Sequence, residues 1–334
     1  MHKLIDIVES NGNYHIVITL INGMGDAFLA LPVIRYLSEH VGEGRITVWG
    51  RRSFLNSVYA ELGHTFLPLS ESPTSPAIDL EYELKRLRGQ IPVGRVICWV
   101  SLNSYATPAV EEYAIARLSP MYYWHYGAPG VRTDDDSGKH LHRLDQYFRV
   151  IGEKAIPRNV NRRPHIGDLD DCFAREMRQK SVSRSKCLIA IHAETSIRKQ
   201  WLLGRWVELG AKLTGVADLV LLGREGQTLG KNRDFQFYGE AWGIQVAIIR
   251  NAHFFVGIDS CFAHVADSYN VPGVVMFSNT DVSASEMIDR WGPKSGALIA
   301  LASNTGDLQD LRLETVLESL AIQGLKDWIT LAIT

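Results

Sequence analysis

Short apolar runs alternate with amphipathic stretches along almost the whole chain. In the first half the apolar runs are Val17 to Ile21, Ile46 to Trp49, Thr65 to Leu69 and Val93 to Val100. Between them, residues 26–40, 53–62, 79–87 and 111–118 carry apolar positions at helical spacing. The second half repeats the rhythm. Strands are predicted at Cys187–Ile191, Asp218–Leu222, Phe235–Tyr238, Phe254–Val256 and Gly273–Phe277, with helices at 169–180, 203–213, 242–251 and 262–268. Strand and helix in alternation build parallel sheets in doubly wound α/β domains. Residues 153–167, EKAIPRNVNRRPHIG, have no hydrophobic period and are the candidate linker. The expected division is therefore 1–155, 165–310 and a C-terminal helical segment, 311–334. Residues 1–13 read as a leader of no clear role. The aromatic run Met121 to Tyr126 reads as a strand packed in the core, or a surface on which a sugar stacks.

Two turns stand out against this pattern. Asn22-Gly23-Met24-Gly25 follows the first strand and leads into a helix through Asp26. Glycines let the backbone turn sharply and approach a ligand closely, although a dinucleotide fingerprint would need a third one. Asp26 reads either as a helix cap or as a functional carboxylate. Residues 257–260, Gly-Ile-Asp-Ser, join a strand to a helix, where free N–H groups and the helix dipole attract an anion such as a phosphate. Asp259 or Ser260 is the expected cap, and His264 lies about one turn further in.

Composition narrows the partners. The chain has 334 residues, 46% hydrophobic, enough for two ordinary domains. Its 35 Lys and Arg nearly balance 37 Asp and Glu, which argues against a nucleic-acid partner and for at most peripheral membrane contact. No apolar run approaches a membrane span, and the N-terminus MHKLIDIVESNG is too polar for a signal peptide. Cys98, Cys172, Cys187 and Cys261 are scattered without C-x-x-C spacing, so a reducing, cytoplasmic location is expected and no zinc site. The acidic run 133–139 reads as a solvated turn.

The stretch 257–281 resembles the nucleotide-sugar site of glycosyltransferase family 9, the bacterial heptosyltransferases. That family typically shows G-x-D-[ST]-G, three residues and a His, then V-P and a G-P-T-D-like end. Gly257, Asp259, Ser260, His264, Val271, Pro272, Thr280 and Asp281 match it. Cys261 departs from a Gly, and Ser278-Asn279 from Gly-Pro. The G-M-G-D loop followed by Leu31-Pro32 resembles the family's first loop. Lys199, Trp201, Arg205 and Trp206 resemble its K-x-W stretch, and His140 and Asp145 its H-x-x-x-x-D helix.

The resemblance implies a GT-B fold, two Rossmann-like doubly wound parallel-sheet domains facing across a cleft, with the last helix crossing back to the first domain. It implies an inverting, metal-independent glycosyltransferase whose donor is a nucleotide sugar, ADP-heptose by family. The acceptor would be a hydroxyl on a glycolipid, saccharide, natural product or protein. Asp26 inherits the role of catalytic base, beside the acceptor loop Gly23, Met24 and Gly25. Lys199 would stabilise the leaving diphosphate with Thr195, Ser196, Asp259, Ser260, Cys261 and His264, and Glu225 would bind the ribose. Arg198 is a possible second cation. No resident cofactor is expected. The first half, with 15 Lys and Arg against 17 Asp and Glu in residues 1–155, has no cationic surplus for an anionic acceptor. A nucleotide-sugar epimerase and a non-catalytic nucleotide-sugar-binding protein are the other classes compatible with these motifs.

Overall fold

A computed structural model describes the chain except residues 1–2, 11, 22, 43, 52–57, 60, 73–74, 76, 104–108, 126–140, 194–198, 224–228, 230–232, 239–240, 280–281 and 329–334, and the side chains of 237–238. It divides into two units, Met1–Arg162 and Arg163–Thr334, and the division falls inside the Pro- and Arg-rich stretch 153–167.

The first unit runs α1 (Leu4–Ser10), β1 (Tyr14–Leu20), α2 (Met24–Val41), β2 (Ile46–Gly50), β3 (Thr65–Pro68), α3 (Leu80–Arg88), β4 (Val96–Ser101), α4 (Ala109–Leu118), β5 (Tyr122–Trp124) and α5 (Arg143–Val150). Its five strands are all parallel, in the order β3-β2-β1-β4-β5. Every residue of β1 is buried, as expected for a central strand covered by helices on both faces. Trp49 and Trp99 meet edge to face at 6.1 Å in the core on one side. Asp79 caps α3 by accepting from the Tyr82 amide.

Within the stretch 1–13, residues 4–10 form α1 and pack on the first unit. Leu4, Ile5 and Val8 of α1 are buried, and the Leu4 amide donates to the Ile151 carbonyl at 3.0 Å. The seven-residue helix is too short to give a strong sequence period. The aromatic run supplies the edge strand β5, in which Trp124 is buried, as the core reading expects. The predicted helix 53–62 lies largely outside the described residues.

The second unit runs α6 (Asp168–Val182), β6 (Cys187–His192), α7 (Leu203–Leu213), β7 (Ala217–Leu222), β8 (Phe235–Tyr238), α8 (Trp242–Asn251), β9 (Phe254–Ile258), α9 (Cys261–Ser268), β10 (Gly273–Met276), α10 (Ala284–Trp291), β11 (Leu298–Leu301) and α11 (Leu313–Leu320). Six parallel strands take the order β11-β10-β9-β6-β7-β8. Gly273 opens β10 at φ 150°, and a Cβ there would lie 1.9 Å from the Phe255 carbonyl oxygen. Only glycine permits that approach between strands. The leucine-rich stretch 308–325 forms a short turn of 3₁₀ helix, α11, and a wider turn in which Gly324 adopts φ 106°. Residues 311–325 are built into the second unit's core. Leu313, Val316, Leu320 and Leu325 share one apolar cluster with Ile189, Trp206 and Val256.

In each sheet the strand order reverses once, between β1 and β4 and between β6 and β9. Ligands of open α/β sheets bind outside the strands' carboxyl ends at such reversals.

Candidate functional site

The second unit's reversal point gathers most of the described candidates. The loop after β6 carries Lys199, and the turn after β9 carries Asp259 and Ser260. Lys199 Nζ donates to Asp259 Oδ2 in an ion pair whose side chains are 24% and 8% exposed. The expected cap is not made. Ser260 holds the N-cap position with extended backbone, yet its side chain accepts nothing from the helix, while the Asp259 carboxylate turns to Lys199. Ser260 Oγ is buried and has no hydrogen-bond partner among the described residues. The amino end of α9 is therefore left without a side-chain cap from Ser260, and a helix amino end attracts an anion.

Lys199 is held in place from behind. Two residues on, Trp201 is 3% exposed, packs edge to face on Trp206 at 5.0 Å, and donates its indole N–H to the Leu311 carbonyl at 2.8 Å. The Trp of the K-x-W stretch is thus a core anchor for the loop that presents the Lys. His264 is buried in α9, and Cys261 is partly exposed at its first position. Thr195, Ser196, Arg198, Glu225, Thr280, Asp281 and His140 lie outside the described residues.

Sequence reasoning passed over His192 and Trp242. His192 ends β6, opposite Gly257 of β9, and packs edge to face on Phe262 at 4.7 Å. Burial pushes its imidazole down to about 3, so it is neutral near pH 7. Trp242 stacks on the same Phe262 ring at 5.5 Å. Both positions are strand or helix ends, the places where side chains meet a crevice, and that was the only signal available.

At the first unit's reversal point, Gly23 is the N-cap of α2 and makes no side-chain cap, so Asp26 lies in the first turn and is not the cap. Its carboxylate faces α5. Tyr147 Oη donates to Asp26 Oδ1 at 3.1 Å, and Arg143 Nε lies 3.7 Å from the same oxygen. Tyr147 is fully buried and Arg143 is 2% exposed, while 12% of the Asp26 side chain remains exposed. The matched helix therefore acts through Arg143 and Tyr147, one turn apart, a spacing legible in the sequence once Asp26 is the target. Of the pair the resemblance selects, Asp145 is partly exposed on the same helix. A Cβ on Gly23 would meet nothing within 4 Å, so its own packing does not require glycine there.

Beneath this loop lies a closed polar network. The buried carboxylate of Glu111 accepts from Thr19, from Trp99 Nε1 at 2.9 Å and from Asn103. Asn103 in turn accepts from the Ile21 amide at 2.6 Å, fixing the chain where it enters the glycine loop.

Among the described residues no group of three or more His, Cys, Asp or Glu is placed to hold a metal ion, and no helix is long and apolar enough to cross a membrane.

No protein-family profile matches the sequence, and no curated protein matches it. Solved structures do. A family 9 glycosyl transferase from Veillonella parvula DSM 2008 aligns with a TM-score of 0.71 at 15% identity, over 94% of this chain and 97% of the other. The ADP-heptose lps heptosyltransferase II of E. coli aligns at 0.66 and 18% identity, over 94% and 99%. A candidate UDP-N-acetylglucosamine 2-epimerase from Listeria monocytogenes aligns at 0.53 and 12% identity, over 96% and 90%. The chain therefore has the fold of solved family 9 glycosyltransferases, two parallel-sheet α/β units with five and six strands among the described residues.

Proposed function

We propose that this protein is an inverting glycosyltransferase that moves a sugar from a nucleoside-diphosphate donor to an acceptor hydroxyl, without a metal. The observation that carries this reading is the Lys199–Asp259 pair beside the uncapped amino end of α9, where Ser260 Oγ is buried without a partner. A cation, a helix amino end and a hydroxyl at a sheet's reversal point suit a diphosphate. As the bond from the anomeric carbon to the diphosphate breaks, negative charge grows on the leaving oxygen. Lys199, the α9 amides and Ser260 stabilise that charge, the part a divalent ion plays in other transferases. Asp26 takes the proton of the acceptor hydroxyl as its oxygen attacks the anomeric carbon. Tyr147 and Arg143 hold its carboxylate by hydrogen bond and charge, leaving an exposed fraction for the acceptor.

An ADP-linked heptose is the donor this reading favours, because the E. coli neighbour is described as an ADP-heptose enzyme. The test is incubation of the protein with ADP-, UDP- and GDP-sugars and a pool of saccharide and glycolipid acceptors in the presence of EDTA. Release of nucleoside diphosphate that depends on acceptor is expected. Sugar isomerised without acceptor would instead establish the epimerase reading, which the likeness to the Listeria structure keeps in play.

A further inference from the structure

Three buried polar atoms without hydrogen-bond partners among the described residues surround the first turn of α9: Ser260 Oγ, His192 Nδ1 and Trp242 Nε1. Both rings contact Phe262, the second residue of that helix. Buried polar atoms in native proteins are nearly always paired, so three together call for a missing partner. His192 is the most demanding of them. It is 5% exposed, and it sits at the β6–β9 reversal point, level with Gly257. Neutral imidazole carries one N–H and one acceptor nitrogen, and Nδ1 serves as neither here.

We infer that His192 is a further donor-binding residue, its Nδ1–H donating to a non-bridging oxygen of the nucleotide's diphosphate at the amino end of α9. This rests on the donor reading above. A phosphate drawn to the α9 amides meets Lys199 on one side, which also offsets the Asp259 carboxylate. A neutral donor adds a hydrogen bond without burying a second cation beside Lys199. The ring packing on Phe262 fixes the imidazole plane before the ligand arrives, so little freedom is lost on binding.

The test is titration of ADP, with EDTA present, into the wild type, His192→Phe and His192→Asn, read by calorimetry and by the imidazole ¹⁵N resonances. Saturating ADP should move the His192 resonances of the wild type to the pattern of an Nδ1-protonated, hydrogen-bonded ring. His192→Phe keeps the packing on Phe262 and should lose about tenfold in affinity, the scale of one hydrogen bond to a charged group. His192→Asn places an amide nitrogen about as far from the backbone as Nδ1 and should keep most of it. Unmoved resonances at saturation, or wild-type affinity in a folded His192→Phe protein, would overturn the inference and leave the donor reading standing. If His192→Phe does not fold, the wild-type resonances decide. A wild type that binds none of ADP, UDP and GDP overturns both.

Discussion

The two reversal points have the same architecture and opposite chemistry. At the first unit's reversal point the carboxylates are paired. Glu111 accepts from Thr19, Trp99 and Asn103, Asn103 takes the Ile21 amide, and Asp26 takes the Tyr147 hydroxyl. In the second unit the groups at the helix end stay open: Ser260 Oγ, His192 Nδ1 and Trp242 Nε1 have no partners among the described residues. A closed network fixes one carboxylate in a set orientation, which suits a base. An open set of donors around a helix amino end suits an anion that completes it. Leaving a buried polar atom unmade costs about 1–3 kcal/mol, a cost more readily explained by a ligand than by the fold.

The largest effect that separates the two regions is expected at Asp26. Replacing Asp26 by Asn keeps its shape and removes the base, so the turnover rate should fall by about 10²–10⁴-fold with donor affinity nearly unchanged. Initial rates with a saturating acceptor, alongside donor titrations, measure both. A loss of donor affinity instead would break the division of labour between the two regions. Lys199→Ala comes next and reverses the pattern. Donor affinity should fall by roughly 10–100-fold, the worth of a charge-assisted contact. Unchanged affinities for ADP, UDP and GDP would remove Lys199 from the site.

A smaller, graded effect concerns stability. Burial lowers the imidazole of His15 to about 4, with the charge of Arg95 adding to it, and the ring bonds Thr47 at 2.9 Å. His253, half-buried, is lowered to about 4 by burial and by the charge of Arg178. A folded-state value below the unfolded one means the unfolded chain takes up protons first. The stability these rings contribute is therefore whole above about pH 6.5 and is lost as pH falls toward 4. Melting temperature should decline through that window, and His15→Gln should flatten the decline. An unchanged slope in that variant would show that His15 titrates freely. The smallest effect is expected at Cys261, where the family resemblance has Gly. The residue is partly exposed and the helix end beside it is uncapped. Cys261→Gly should leave donor affinity and rate within about twofold, since surface changes away from core features are small. A large gain in rate would instead support the binding-only reading of the natural chain.

Most of the fold was legible because buried parallel strands read as continuous apolar runs and their helices as periodic ones. α9 and β10 fell within a residue of expectation, and β9 runs two residues beyond it. The misses have local causes. The helix Leu4–Ser10 is two turns long, too short for its period to show, and Gly324 breaks a pattern whose leucines still recur at helical spacing. At the site, spacing located the charged residues but not their partners. Asp259 reads as a cap beside a helix start, and only the fold brings Lys199 from 60 positions away to claim its carboxylate. Arg143 and Tyr147 were hidden for the same reason, since Asp26 lies more than 100 residues before them. His192 and Trp242 are ordinary strand and helix ends until their nitrogens are found without partners.

The central claim is that the open region of the second unit binds a nucleoside diphosphate without a metal. The most direct measurement is calorimetric titration of ADP, UDP and GDP and their sugars into the wild-type protein in EDTA. The account predicts saturable one-to-one binding of at least one of them, with ADP favoured, unchanged when magnesium replaces EDTA. Binding of none, or binding that appears only with the metal, would contradict it.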